Sequence, residues 1–160
     1  MADQKPTAII VSGYFSPLHV GHLDMIEDAA SRGAEVIVIV NNNAQQVNKK
    51  GKVIMDETDR LRIVEALRLV DHAVIAIDDD RTVSATLAKI AAEFPEHRLI
   101  FGNGGDRVSD ALVPESGVCA EHDIELVFNM GGTVKADSSS RINVELGLED
   151  SPSAPPSATT

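Results

Sequence analysis

Ser12-Gly13-Tyr14-Phe15-Ser16-Pro17-Leu18-His19-Val20-Gly21-His22 joins a β-branched run, Thr7-Ala8-Ile9-Ile10-Val11, to a stretch of helical periodicity. The run reads as a buried strand. The stretch over residues 21–32 reads as a helix, with Leu23, Ile26 and Ala30 on one face and Gly33 as its stop. A strand turning into a helix is the opening unit of a parallel α/β sheet, which holds its ligands beyond the carboxyl ends of the strands. Gly13 lets backbone approach a ligand closely, Pro17 stiffens the turn, and Gly21 removes a side chain between two imidazoles. The helix start offers N–H groups and a positive dipole end, which suit a phosphate. His19 and His22 on that edge suit hydrogen bonding to phosphate oxygens whose charge grows in a displacement transition state. An H-x-G-H tetrapeptide alone occurs by chance, and the plainer reading is a helix entry whose histidines cap or face solvent.

Outward from this turn, β-branched runs alternate with helical stretches. Residues 35–40 form a second strand, and a helix begins near Asp56 with Ile63, Ala66, Leu67 and Val70 as its apolar stripe. Residues 72–77 are a third strand. Residues 82–94 are a helix carrying Val83, Leu87, Ile90 and Ala91, ended by Pro95. Strands over 98–101 and 124–128 flank a helix at about 114–122, and a last helix spans 139–146. The alternation predicts an α/β fold: a single Rossmann-like domain over residues 1–148, with a five-stranded parallel sheet covered by helices on both faces. Residues 149–160, rich in Pro, Ser and Thr, are expected to be a disordered tail.

Composition narrows the partners. The 160 residues carry 14 Lys+Arg against 25 Asp+Glu, a net charge of −11, so the molecule as a whole repels phosphate backbones. Aromatic residues make up 3% and Trp is absent, which argues against stacking of bases. No nucleic-acid partner is expected, and an anionic ligand must be held by local cations and backbone amides. Cys119 is the only cysteine, which excludes an internal disulfide, fits a reducing compartment and reads as a small buried residue. No apolar stretch is long enough for a signal peptide or membrane span, so a cytoplasmic chain with no membrane partner is expected. The first turn lacks G-x-G-x-x-G, which argues against a dinucleotide-dependent oxidoreductase. Asp78-Asp79-Asp80 suits capping of the helix near Thr82 better than metal ligation, and no dedicated metal site is expected. Arg60 and Arg62 are expected to supply one surface pair with Glu57 or Glu65.

Four blocks in order resemble the HxGH nucleotidyltransferase superfamily, and within it the cytidylyltransferase-like group that includes the glycerol-3-phosphate cytidylyltransferases. They are Gly13 to His22; Lys49-Lys50-Gly51-Lys52 through Glu57-Thr58-Asp59-Arg60; Gly104-Gly105-Asp106-Arg107; and Lys135-Ala136-Asp137-Ser138-Ser139-Ser140-Arg141-Ile142. The resemblance implies that His19 and His22 contact the phosphates of a nucleoside triphosphate and stabilise the transition state. It implies that Lys49 or Lys50 reaches across to phosphates, including the acceptor's, and that Ser138 and Ser139 hold the β- and γ-phosphates at a helix start. Gly13, Tyr14, Phe15, Gly21, Gly104, Asp106, Arg107 and Ser140 are the further nucleotide-binding positions it implies. Each has a plainer reading: the lysines as a solvated loop, the serines as helix caps. Gly132-Thr133-Val134-Lys135 departs from an Arg-Thr-Glu-Gly-like lead-in, leaving Lys135 or Arg141 to replace a phosphate-binding arginine. Asp106-Arg107 replaces an Asp-Asp-Trp-like element.

The activity implied is transfer of a nucleoside monophosphate from an NTP, CTP favoured and ATP second, to a small phosphorylated polyol, sugar or alcohol, with release of pyrophosphate. Mg²⁺ is expected to come with the nucleotide, and a homodimer is implied by the resemblance. The alternatives are an adenylyltransferase of the flavin, pantetheine or heptose-phosphate kind and a non-catalytic nucleotide-binding module.

Overall fold

The computed structural model describes residues 5–104, 113–132 and 138–149. In it, β1 (Thr7–Gly13) lies at the centre of a sheet, flanked by β2 (Glu35–Val40) and β4 (Arg98–Gly102). The outer strands are β3 (His72–Ile75) beside β2 and β5 (Glu125–Val127) beside β4, and all four pairings are parallel. Strands covered on both faces must be apolar at nearly every position, which is why Glu35–Val40 reads as an unbroken aliphatic run after its first residue.

Alternation along the strands builds two separate cores. Ile9, Val11, Val36, Val38 and Val40 meet Ile26 and Ala29 of α1 (Val20–Ser31) and Val64 of α3 (Glu57–Glu65). On the other face Ala8, Ile10, Ile37, Ile39 and Phe101 meet Leu87 and Ile90 of α4 (Ser84–Glu93) and Cys119 of α5 (Ser116–Glu121). Each buried Ile or Val contributes about 1.5–3 kcal/mol relative to exposure. The Cys119 thiol is raised to about 11 by burial and by Glu115, so it stays protonated inside the second core. The chain runs outward from β1 to β2 and β3, then returns past β1 to β4 and β5. That reversal opens a crevice beyond the carboxyl ends of β1 and β4.

Three departures from the sequence reading share one cause, the burial of polar side chains. Residues 43–50, given no element by the sequence reading, form α2 (Asn43–Lys50), whose buried residues are Gln45 and Gln46. With no apolar stripe, its periodicity carried no signal. The α3 stripe is also different: the helix ends at Glu65, Ile63 is 40% exposed, and the buried residues are Arg60 and Val64. Leu67 and Val70 reach the first core from the turn that follows. Arg60 makes no surface pair; among the described residues neither it nor Arg62 forms an ion pair with Glu57 or Glu65. Asp78 and Asp80 do brace the start of α4, as the sequence suggested. Asp78 accepts from the backbone N–H of Ala85 and Thr86, and Asp80 from that of Thr82.

Candidate functional site

The turn after β1 is fixed from three directions. Phe15 is buried at φ +52°, and its ring lies beneath Gly13, where an added Cβ would fall 3.0 Å from Cζ. Ser16 is buried; its hydroxyl accepts from Gln46 Nε2 at 2.8 Å, and its carbonyl accepts from Asn143 Nδ2 at 2.9 Å. The Pro17 carbonyl accepts from Ser139 Oγ at 2.8 Å. Asn143 and Ser139 belong to α6 (Ser139–Glu145), so the last helix closes over the first turn.

His19 and His22 form the entry of α1 as a reciprocal cap. His19 Nδ1 accepts from the Gly21 N–H at 3.1 Å, while His22 Nδ1 accepts from the His19 N–H at 3.2 Å. An imidazole nitrogen that accepts carries no proton, so both neutral rings hold theirs on Nε2, the nitrogen on the far side from the cap. The rings stack with centroids 3.8 Å apart, and Phe15 packs on His22 at 4.5 Å. The capping reading and the phosphate reading are therefore compatible: Nδ1 orders the helix start, and Nε2 is the donor a phosphate oxygen would meet. Ser138 caps α6 in turn, its Oγ accepting from the Arg141 N–H at 3.0 Å. Arg141 itself is exposed.

The two lysines separate. Lys49 Nζ lies 4.5 Å from the Tyr14 ring centroid, a cation–π contact. Lys50 Nζ bonds Glu149 Oε2 at 3.0 Å with its side chain only 3% exposed, and Asn143 Nδ2 reaches the same oxygen at 2.7 Å. Burial pushes the Glu149 carboxyl up, but the Asn143 and Lys50 hydrogen bonds and the charge of Lys50 outweigh it and hold it low. Glu149, assigned by its sequence to the tail, thus packs against α2 and α6. The helix carrying the lysines is held by amides. Asn42 Nδ2 donates to the carbonyls of Ala76 and Asp78, Gln45 Nε2 to those of Asp80 and Thr82, and Asn48 Nδ2 to that of Asp79.

Arg60 went unrecognised in the sequence. Its buried guanidinium donates to the carbonyls of Tyr14 at 2.9 Å, Asn41 at 2.5 Å and Met55 at 2.8 Å, and to Asn43 Oδ1 at 3.1 Å. Burial lowers its pKa, while Glu57 and Asp56 act to restore it. It joins the ends of β1 and β2 to the two helices that follow. Gln46, Asn143 and Glu149 were missed for the same reason: an amide or carboxylate that bonds inward looks like one that faces water.

On the β4 side, Gly102 leaves room for Met130, whose Cε would lie 2.6 Å from an added Cβ, and Gly104 follows the buried Asn103. The loop after β5 is stapled to α1: Gly131 N–H donates to Asp28 Oδ2 at 2.8 Å, and at φ +87° an added Cβ would meet the Met25 nitrogen at 2.9 Å. Asp106, Arg107, Lys135 and the side chain of Ser140 lie outside what the structure describes. Among the described residues no group of three or more His, Cys, Asp or Glu side chains is placed to hold a metal ion, and no helix is long and apolar enough to cross a membrane.

Comparison with known proteins gives the family and the fold. The profile of the cytidylyltransferase-like family matches residues 10–142. The FAD synthase of Methanohalophilus mahii is 40% identical over 74 residues, 46% of this chain and 51% of that protein. The FAD synthase of Natrialba magadii is 35% identical over 80 residues, 50% and 53% of the two chains. The chain thus spans about half the length of these curated relatives. The bifunctional protein HldE of Azorhizobium caulinodans is 29% identical over 117 residues, 66% of this chain and 24% of that one. The crystal structure of the lipopolysaccharide core biosynthesis protein from Thermoplasma volcanium shares the fold, with TM-score 0.60 and 23% identity over 82% of this chain and 98% of that one.

Proposed function

Because the chain belongs to the cytidylyltransferase-like family, we propose that it transfers an adenylyl group from ATP to a small phosphorylated acceptor and releases pyrophosphate. The sequence alone favoured CTP. The FAD synthases among the relatives, themselves adenylyltransferases, favour ATP, and CMP transfer becomes the second reading. The observation that carries the proposal is the paired imidazole cap at the start of α1, in the turn that leaves the carboxyl end of β1.

An oxygen of the acceptor phosphate attacks the α-phosphorus in line, the new P–O bond forms as the bond to the β-phosphate bridge breaks, and pyrophosphate leaves with the electron pair. The attacking oxygen is already ionised, so no protein base is needed. His19 and His22 donate from Nε2 to the phosphate oxygens that gain charge, and the α1 dipole adds to the same field. The Ser138 hydroxyl and the backbone N–H groups at the start of α6, that of Ser139 among them, receive the leaving phosphates, with Arg141 beside them. Lys49 serves the phosphates, while Lys50 holds Glu149 and keeps α2 against α6. Mg²⁺ enters as part of the nucleotide substrate and neutralises its phosphates. In the same reading the enzyme is a cytoplasmic homodimer, which light scattering on purified protein checks.

The test is pyrophosphate release with Mg²⁺, ATP or CTP, and a panel of flavin, sugar, polyol and pantetheine phosphates. Release with ATP and one acceptor, abolished by His19→Ala, supports the proposal. Release only with CTP installs the second reading, and nucleotide binding without release from any pair favours a non-catalytic module.

A further inference from the structure

Ser16, three residues before His19, is fully buried, and amides from two distant helices take both of its polar groups. Gln46 Nε2 of α2 donates to its hydroxyl at 2.8 Å, and Asn143 Nδ2 of α6 donates to its carbonyl at 2.9 Å. Gln46 and Asn143 are fully buried as well. Among the described residues neither Gln46 Oε1 nor Asn143 Oδ1 meets a hydrogen-bond donor. An amide of that kind is oriented only by what its N–H groups meet. Asn143 meets two acceptors, the Ser16 carbonyl and Glu149 Oε2, the second at 2.7 Å.

Glu149 is held beside Asn143 by backbone too. Gly147, at φ +75°, turns the chain back after α6, and the Leu148 and Glu149 N–H groups donate to the Asn143 carbonyl at 2.7 and 3.3 Å. The same carboxylate oxygen receives Lys50 Nζ at 3.0 Å, from a side chain only 3% exposed. Lys50 lies one helical turn after Gln46, so the two share a face of α2. A closed ring results. It runs from Ser16 to Gln46, along one turn of α2 to Lys50, across to Glu149, on to Asn143 and back to Ser16. Neither apolar core contains a member of it. Glu149 is the single carboxylate of the ring and answers two donors. Without it a buried ammonium stands uncompensated, and Asn143 keeps one of the two acceptors that orient it.

We propose that Glu149 is a positioning residue for the imidazole pair: through Asn143 and Lys50 it fixes Ser16, and through Ser16 the turn that carries His19 and His22. The inference rests on the transferase reading and deepens it, because it makes the segment after the last helix part of what aligns the first motif. Glu149 touches no substrate in this role. Its effect is on geometry, and a displacement of about 1 Å at a reacting centre costs on the order of 10²-fold in rate.

The test follows the imidazoles themselves, by long-range ¹H–¹⁵N correlation spectra of the histidine rings in the full chain. His72, which opens β3, His97, which precedes β4, and His122, at the end of α5, serve as internal controls. In Glu149→Ala the His19 and His22 signals are expected to leave their wild-type positions while the other three keep theirs. Pyrophosphate release with Mg²⁺, ATP or CTP, and the acceptor panel is expected to fall about 10-fold or more in kcat. Glu149→Gln keeps the oxygen, loses the charge and leaves the fold intact. It is expected to move the same two signals by less and to retain more turnover than Glu149→Ala. Unmoved His19 and His22 signals in both variants, or wild-type kcat in both, overturn the inference alone. Movement of all five histidines together marks a general loosening and also overturns it. Wild-type protein that releases pyrophosphate from no pair overturns the transferase reading, and the inference with it.

Discussion

Two helices leave the carboxyl edge of this sheet with the same local device and put it to different use. α1 and α2 each begin with a reciprocal cap, His19 with His22 and Asn42 with Gln45. In α2 the amides bond at both ends: Gln45 Oε1 accepts from Asn41 Nδ2 and the Asn42 N–H, and its Nε2 donates to two carbonyls across the β3–α4 segment. In α1 the capping nitrogen is Nδ1, and the imidazole presents its second nitrogen on the opposite side of the ring. A cap built from amides is structure throughout. A cap built from imidazoles orders the helix with one nitrogen and, in the proposed reaction, supplies chemistry with the other.

The sharpest way to separate the two uses is His19→Asn, which keeps a capping acceptor and removes Nε2. Pyrophosphate release should fall about 10²–10³-fold, some 3–4 kcal/mol of barrier, with little change in Tm. His19→Ala should lose the same activity and also about 1 kcal/mol of stability, near 2–4 °C in Tm. If His19→Asn retains wild-type turnover, the imidazole pair is a cap alone and the comparison collapses. Gln45→Ala tests the other side. It leaves buried carbonyls and an amide unpaired, and should cost about 3 kcal/mol in urea unfolding.

Two acid-sensitive contacts give smaller effects. The Glu149 carboxyl is held below its ordinary value in the folded state, so its contribution is full above that value and lost as pH falls through the lower folded one. Glu149→Gln should lose about 1 kcal/mol at pH 7 and flatten the decline in Tm on acidification. Asp56 caps α3 through Thr58 and also holds Asn43 of α2, which together lower its carboxyl to about 2. Its contribution is present above the ordinary carboxylate value near 3.8 and lost as pH falls toward about 2. Asp56→Ala should remove that part of the acid transition in a pH series of thermal melts.

The contrast between caps also explains what the sequence disclosed. The five strands, α1 and α4 were legible because their side chains bury apolar surface with a fixed period, as in Glu35–Val40 or Leu87 and Ile90. The paired histidines were legible because their spacing around Gly21 belongs to a recognisable motif. α2 was not, since Asn-Ala-Gln-Gln-Val-Asn-Lys-Lys has no apolar face and its stability comes from hydrogen bonds to carbonyls more than thirty residues away. Arg60 was misread for a related reason. Four residues into a helix among carboxylates it fits a surface pair, and only the three-dimensional meeting of the Tyr14, Asn41 and Met55 carbonyls makes its burial tolerable. Periodicity reports contact with apolar surface; it is silent on contact with backbone.

The closure of α6 over the first turn has a consequence for the order of events during synthesis. Ser139 bonds the Pro17 carbonyl across 122 residues and Asn143 the Ser16 carbonyl across 127, while Lys50 and Glu149 meet across 99. Contacts of such separation carry the largest loop-closure entropy and form late. A nascent chain that has already paired β1 with β2 still lacks the brace on its own first turn until the last helix leaves the ribosome. The same bonds are the natural place for local opening in the finished protein, so amide exchange should mark α6 and the turn after β1 as one cooperative unit that unfastens before the sheet does.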